Sequence, residues 1–160
     1  MPTPPAIDDI DRRILMELQL DASLTNQQLA ERVGLSASPC LRRVKALEDA
    51  RIIEKRVTLL DRKKLGLSLT ALIHISMDRH TPERFENFEA QVKQYPEVQT
   101  CYLITGQQAD YLMIVVVPDM DHYQQFLLER ITRIEGVAGV HSSFVMRRAV
   151  DSTALPLGYL

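Results

Sequence analysis

Seven consecutive residues, Tyr111–Val117 (YLMIVVV), are all apolar, and this run constrains the fold more than any other stretch of the chain. It is far shorter than the roughly 20 residues that cross a bilayer, so it predicts a buried element and no membrane partner. As a strand it would be apolar on both faces, and such a strand has to be covered on both.

The surrounding pattern supplies one of the two covers. Ser68–Asp78 alternates Leu69, Ala71, Ile73, Ile75 and Met77 with mostly more polar residues, as a half-buried strand does. Thr81 is a candidate helix cap with Pro82 in the first helical position, and Phe85, Phe88 and Val92 share one face before Tyr95-Pro96 ends the helix. Val98–Ile104 and Tyr111–Val117 follow as a strand pair. A helix capped by Asp119 then buries Tyr123, Phe126, Leu127, Ile131 and Ile134, and a last strand lies near Val140–Arg148. This order is a split βαβ, the ferredoxin-like βαββαβ pattern, in which both helices cover one face. The second face needs another cover. The simplest is the same face of a second copy, a two-fold contact; the alternatives are the tail after Arg148 or the amino-terminal half of the chain.

Before residue 60 the apolar spacing is helical instead: Ile10, Ile14 and Leu18, then Leu29 and Val33, then Leu41, Val44 and Leu47. The predicted architecture is therefore α+β, with a helical domain over residues 1–59, a charged linker over 60–67 (LDRKKLGL) and a ferredoxin-like domain over 68–160. In the helical part Thr25 and Gln28 stand at capping-box spacing, with Leu24 and Leu29 as a hydrophobic staple. The second helix then runs to Gly34, where the small Ala30 and the glycine let two helices cross closely, the geometry of a helix-turn-helix. The third helix begins around Ser36–Pro39 and is expected to bury Leu41, Val44 and Leu47, leaving Ser38, Arg42, Arg43 and Lys45 on its exposed face. Ile52–Leu60 (IIEKRVTLL) is β-prone and predicts a wing, with Arg51, Lys55 and Arg56 as phosphate contacts that add affinity with little sequence discrimination.

Net charge hides this arrangement. The chain as a whole carries −2, but residues 1–64 hold 12 Lys and Arg against 10 Asp and Glu, and residues 65–160 hold 7 against 11. Between Ser36 and Arg56 six basic residues face three acidic ones. The basic patch is local and modest, which suits double-stranded DNA read by a small head.

On these residues the chain resembles the Lrp/AsnC family, the leucine-responsive and asparagine-responsive transcriptional regulators. The resemblance is carried by GLSASPCLRRVKALE in the first half, and by VQTCYLITGQQADYLMIVVVPDM and SSFVMRRAVDSTALPL in the second. It implies a winged helix-turn-helix joined to an effector-binding domain, homodimers formed through that domain, and higher oligomers such as an octamer. It places the recognition helix on Ser38–Glu48, with Ser38, Pro39, Arg42 and Arg43 nearest the major groove. It also implies a small amino-acid effector at Thr105, Gly106, Gln107, Gln108 and Asp110, a turn one residue longer than the family's usual one. There backbone N–H groups would receive a carboxylate and Asp110 an ammonium. On the last strand the positions that face the ligand from a neighbouring subunit match Val140 and Ser142, and Ser142 keeps the hydroxyl. Cys40, at the start of the recognition helix, is expected to be a packed thiol.

Two further function classes are weighed against this one. An architectural DNA-compacting protein would share the fold but lack an effector. An enzyme finds little support: His74, His80, His122 and His141 have no metal spacing, no phosphate-cradling glycine loop is present, and no cofactor is expected. Two cysteines, Cys40 and Cys101, are too few for a disulfide framework, and the Pro-rich start lacks a signal-peptide pattern, so a cytoplasmic protein is expected.

Overall fold

In the computed structural model, which describes residues 7–106 and 109–160, side chains fix the helix starts. The Asp8 carboxylate accepts the Asp11 backbone N–H at 2.8 Å and the Asp11 carboxylate accepts that of Asp8, closing a capping box before α1 (Asp9–Leu20). The predicted Thr25/Gln28 box opens α2 (Asn26–Val33), with Gln28 N–H to Thr25 Oγ1 at 3.3 Å and Thr25 N–H to Gln28 Oε1 at 2.9 Å. Gly34, at φ +74°, ends α2 in the left-handed conformation, where glycine alone is unstrained. After this turn α3 (Ala37–Asp49) closes a core of Ile14, Leu29, Ala30, Val33, Cys40, Val44 and Leu47.

Leu41 is a correction. It is 56% exposed, while Cys40 is fully buried. The inward face of α3 is the i, i+4, i+7 set Cys40, Val44 and Leu47, and Leu41 lies one position around the helix from it. The expected β wing forms no ladder: residues 54–60 have no strand pairing, and Leu60–Leu67 instead folds into turns around Gly66 at φ +75°, with Leu67 N–H bonded to Arg62 O at 2.8 Å.

The chain falls into two units, one running to Leu59 and resuming at Val150–Leu160, the other spanning Leu60–Ala149. The sequence pattern places the tail with the second domain; here it returns to the first. The Gln19 side-chain amide binds both backbone groups of Leu155, donating to its carbonyl at 3.2 Å and accepting its N–H at 2.6 Å, as a neighbouring strand would. Arg12 Nη2 donates to the Leu160 carbonyl at 2.7 Å, and Leu157 packs against the helical core. Removing the amide should release the tail. With each such bond contributing about 1 kcal/mol net, Gln19→Ala raises the undocked population roughly tenfold or more. Limited proteolysis with mass spectrometry will show faster cleavage within 150–160 while α1–α3 stay protected; an unchanged cleavage rate contradicts the docking.

The second unit runs β1 (Leu69–Met77), α4 (Pro82–Val92), β2 (Val98–Leu103), β3 (Tyr111–Val117), α5 (Met120–Glu129) and β4 (Val137–Phe144). Its antiparallel sheet has the order β2-β3-β1-β4, the ferredoxin-like topology, and the overall class is α+β. The last strand starts and ends earlier than the expected Val140–Arg148, because Gly136, at φ +97°, turns the chain so that Val137 already pairs with Met77. Likewise α5 stops at Glu129, and Ile131 and Ile134 reach the core from a 3-10 turn.

Register decides which side chains meet the helices. Ala71, Ile73 and Ile75 on β1 stand opposite Val115, Met113 and Tyr111 on β3, and all of these pack against α4 and α5 in one core. The other face carries Leu72, His74, Leu112, Ile114 and Val116, and on β3 Leu112 and Ile114 are half-buried there, whereas Val116 is buried like the helix-side residues. The second face of the fully apolar strand is thus only partly covered within this unit.

Candidate nucleic-acid interface and ligand turn

The start of α3 is fixed against α2 by one bond: the Asn26 side-chain amide donates to the Ala37 carbonyl at 2.8 Å. With Cys40, Val44 and Leu47 buried, the opposite side of α3 presents Ser38, Leu41, Arg42 and Lys45, spaced i, i+3, i+4, i+7, as one exposed stripe. Pro39 is half-buried beside it. Burial pushes the Cys40 thiol up from its ordinary value, which fits a packed group and not a reactive thiolate.

Arg43 does not join the stripe. Its Nη1 lies 2.7 Å from Asp8 Oδ2 and 2.8 Å from Asp11 Oδ1, so the residue that the sequence places at the groove clamps α3 to the start of α1. The reason is helical position: residue 43 sits at the border of the buried 40/44/47 face, within reach of the carboxylates that cap α1. The Asp11 backbone N–H and the Arg43 guanidinium together hold the Asp8 carboxyl below its usual range. Arg56 is also engaged, 2.8 Å from Glu48 on α3.

The remaining predicted cations are exposed. Among the described residues Arg42, Lys45, Arg51 and Lys55 carry no ion pair. Arg51 follows α3 at φ +56°, with its N–H bonded to Glu48 O and the Ile52 N–H to Leu47 O, both at 2.9 Å. This is a Schellman ending with arginine in the left-handed position that glycine usually takes, and it turns a cation outward directly after α3.

In the second unit the predicted ligand turn joins β2 to β3. Thr105 and Gly106 are exposed, and Gln107 and Gln108 lie outside the described residues. Asp110 is largely satisfied within the chain. Its Oδ2 accepts the Met77 backbone N–H at 2.7 Å and its Oδ1 lies 2.8 Å from His80 Nε2, while its own N–H donates to Ile75 O at 2.8 Å. The carboxylate therefore seats the turn on the end of β1. His80, its ring tilted 36° to that of Phe85 at 6.0 Å, is a turn partner that a lone histidine before a helix cap gave no signal for.

Ser142 faces the helix side of the sheet opposite Ile73, where its hydroxyl accepts a bond from Tyr123, and Val140 packs into the same core. Among the described residues no hydrogen bond joins Ser142 to the turn. A cleft of about 320 Å³ opens between α4 and β2, lined by Glu89, Lys93, Cys101, Leu103 and Tyr111. The Tyr111 hydroxyl donates to Glu89 at 3.0 Å, and burial with the adjacent carboxylate pushes this phenol up; burial raises Cys101 to about 11. No described group of His, Cys, Asp and Glu side chains is arranged to hold a metal ion, and no described helix is long and apolar enough to cross a membrane.

Comparison with known proteins covers both units. Residues 7–54 match the model of a winged helix-turn-helix DNA-binding domain, and residues 70–155 match the Lrp/AsnC ligand binding domain. The leucine-responsive regulatory protein of Escherichia coli (strain K12) is 40% identical over 149 residues, 93% of this chain and 90% of that one. The DNA-binding transcriptional activator DecR of the same strain is 40% identical over 151 residues, 94% of this chain and 99% of that one. A transcriptional regulator of Neisseria meningitidis, solved as a complex with L-Met, superposes with a TM-score of 0.92 at 40% identity, covering 96% of this chain and 99% of that one. The helix-turn-helix head, the β2-β3-β1-β4 sheet and these matches agree: the chain belongs to the Lrp/AsnC family of transcriptional regulators, with a winged helix-turn-helix DNA-binding domain and an Lrp/AsnC ligand-binding domain.

Proposed function

We propose that this chain is a cytoplasmic, sequence-specific DNA-binding regulator whose assembly and DNA affinity respond to a small amino acid. The observation that carries the proposal is the stripe Ser38, Leu41, Arg42 and Lys45, held outward by the Arg43 clamp on the opposite border of α3. Arg42 suits the fork of acceptors on a guanine edge, and Pro39 and Ser38 approach the backbone at the helix start. Lys45, Arg51, Lys55 and Arg56 add phosphate contacts, the last after exchange of its bond to Glu48.

The effector binds at Thr105 to Asp110, its carboxylate on backbone N–H groups and its ammonium on Asp110 in exchange for the His80 imidazole. The L-Met complex of the Neisseria meningitidis relative supports an amino acid as the ligand class. Ser142 accepts the Tyr123 hydroxyl bond on the helix side of the sheet and contributes indirectly. Two copies pack through the sheet face that bears Leu72, Leu112 and Ile114, and dimers assemble further, to an octamer for example, so that many weak heads engage one DNA together. Avidity of this kind explains why the basic excess per head is small.

A thermal-shift panel of the twenty amino acids, followed by gel shifts on a DNA site selected from random duplexes, tests this function. One or a few amino acids raise the melting temperature and alter the shift. Equal, salt-sensitive binding to every duplex with no amino-acid effect would establish a DNA-compacting protein in its place.

A further inference from the structure

Leu41 is the apolar member of the exposed stripe on α3, 56% exposed between Ser38, Arg42 and Lys45. A lone leucine on a protein surface needs no explanation, but three observations set this one apart. The core of the head is complete without it: Cys40, Val44 and Leu47 fill the inward face of α3, and Leu41 is not among the residues packed against that core. Polar and cationic neighbours at i−3, i+1 and i+4 ensure that any polyanion drawn to Arg42 and Lys45 also covers Leu41. The residue lies in the amino-terminal half of α3, the part of a recognition helix that contacts base edges.

An aliphatic side chain neither donates nor accepts a hydrogen bond. Pressed against guanine, cytosine or adenine it would leave polar edge groups dry and unpaired. The major groove offers one apolar group on its base edges, the C5-methyl of thymine. Resting on the DNA-binding role proposed above, we infer that Leu41 is a specificity-determining residue that seats against a thymine methyl, fixing a T·A pair at one position of each half-site.

Deoxyuridine provides the test, because it keeps every hydrogen-bonding group of thymine and lacks only the methyl. A duplex enriched by the full-length protein from a random pool is remade with each thymine changed in turn to deoxyuridine. At one position per half-site the change weakens wild-type binding about fourfold, the size expected for one methyl lost from an apolar contact. Leu41→Ala binds the two duplexes equally at that position, whereas Leu41→Met keeps the discrimination. Both variants melt as the wild type does, since the side chain lies outside the core. Indifference of the wild type to deoxyuridine at every position, or discrimination retained by Leu41→Ala, overturns the assignment and leaves the DNA-binding role standing. Failure of the wild type to enrich any sequence overturns both.

Discussion

Arg42→Ala combined with Lys45→Ala will lower affinity for a selected DNA site about 100-fold, and Arg43→Ala will also weaken binding but through a different physical route. The first two cations stand in the exposed stripe without an ion pair, so their loss leaves the fold and melting temperature unchanged. It removes one base-edge contact, at Arg42, and one phosphate contact, at Lys45, and the slope of log affinity against log salt should become shallower by about 0.9, the value for one phosphate contact. Arg43 is already neutralised by Asp8 and Asp11. Its removal leaves two carboxylates without their cation and frees α3 from the start of α1, so melting temperature falls and the reading face loses its fixed position. The salt slope stays at the wild-type value. Titrations at four or five salt concentrations separate these outcomes, and a shallower slope for Arg43→Ala would mean that the arginine leaves its clamp to bind phosphate.

The second large effect is expected at the opposite end of the chain's chemistry. Ile114→Glu places a carboxylate on the half-buried face of β3, in line with Leu72 of β1. In a two-fold contact each interface receives the change twice, and burying an ionised carboxylate without a partner costs several kcal/mol, enough to dissociate most dimers. Light scattering should report the mass of a monomer for this variant and a multiple of it for the wild type. Head and helix-side core are untouched, so the melting of the monomeric variant remains cooperative. DNA affinity drops with assembly, because single weak heads no longer share one site. An unchanged assembly mass would show that copies meet through another surface.

The fold was legible where local chemistry and periodicity agree. The Thr25/Gln28 box, Gly34 and the fully apolar β3 are found at the expected positions, because a cap or a seven-residue apolar run leaves few alternatives. Strand ends were less legible: β4 is placed by the turn at Gly136 and by pairing with β1, which are long-range matters. On α3 the apolar spacing places Leu41 in the core and Arg43 on the open face, whereas the structure exposes Leu41 and holds Arg43, half-buried, at the border of the buried face. Cys40 is small enough to take the inward position, and the pull on Arg43 comes from Asp8 and Asp11, 35 and 32 residues away in sequence. The same holds for Asp110, whose partners Met77 and His80 become visible only once β1 and β3 are paired, and for the tail, whose contact with Gln19 spans 136 residues.

The coupling proposed for the two domains is that DNA and an amino acid each alter the affinity for the other. Its most direct measurement is the dissociation constant of the full-length protein for its selected duplex, with and without the amino acid that raises its melting temperature. Coupling between the two sites predicts a difference of about fivefold or more, typical of linked binding, and an equal shift of effector affinity when DNA is present. Identical DNA titrations in the presence of each of the twenty amino acids would contradict it.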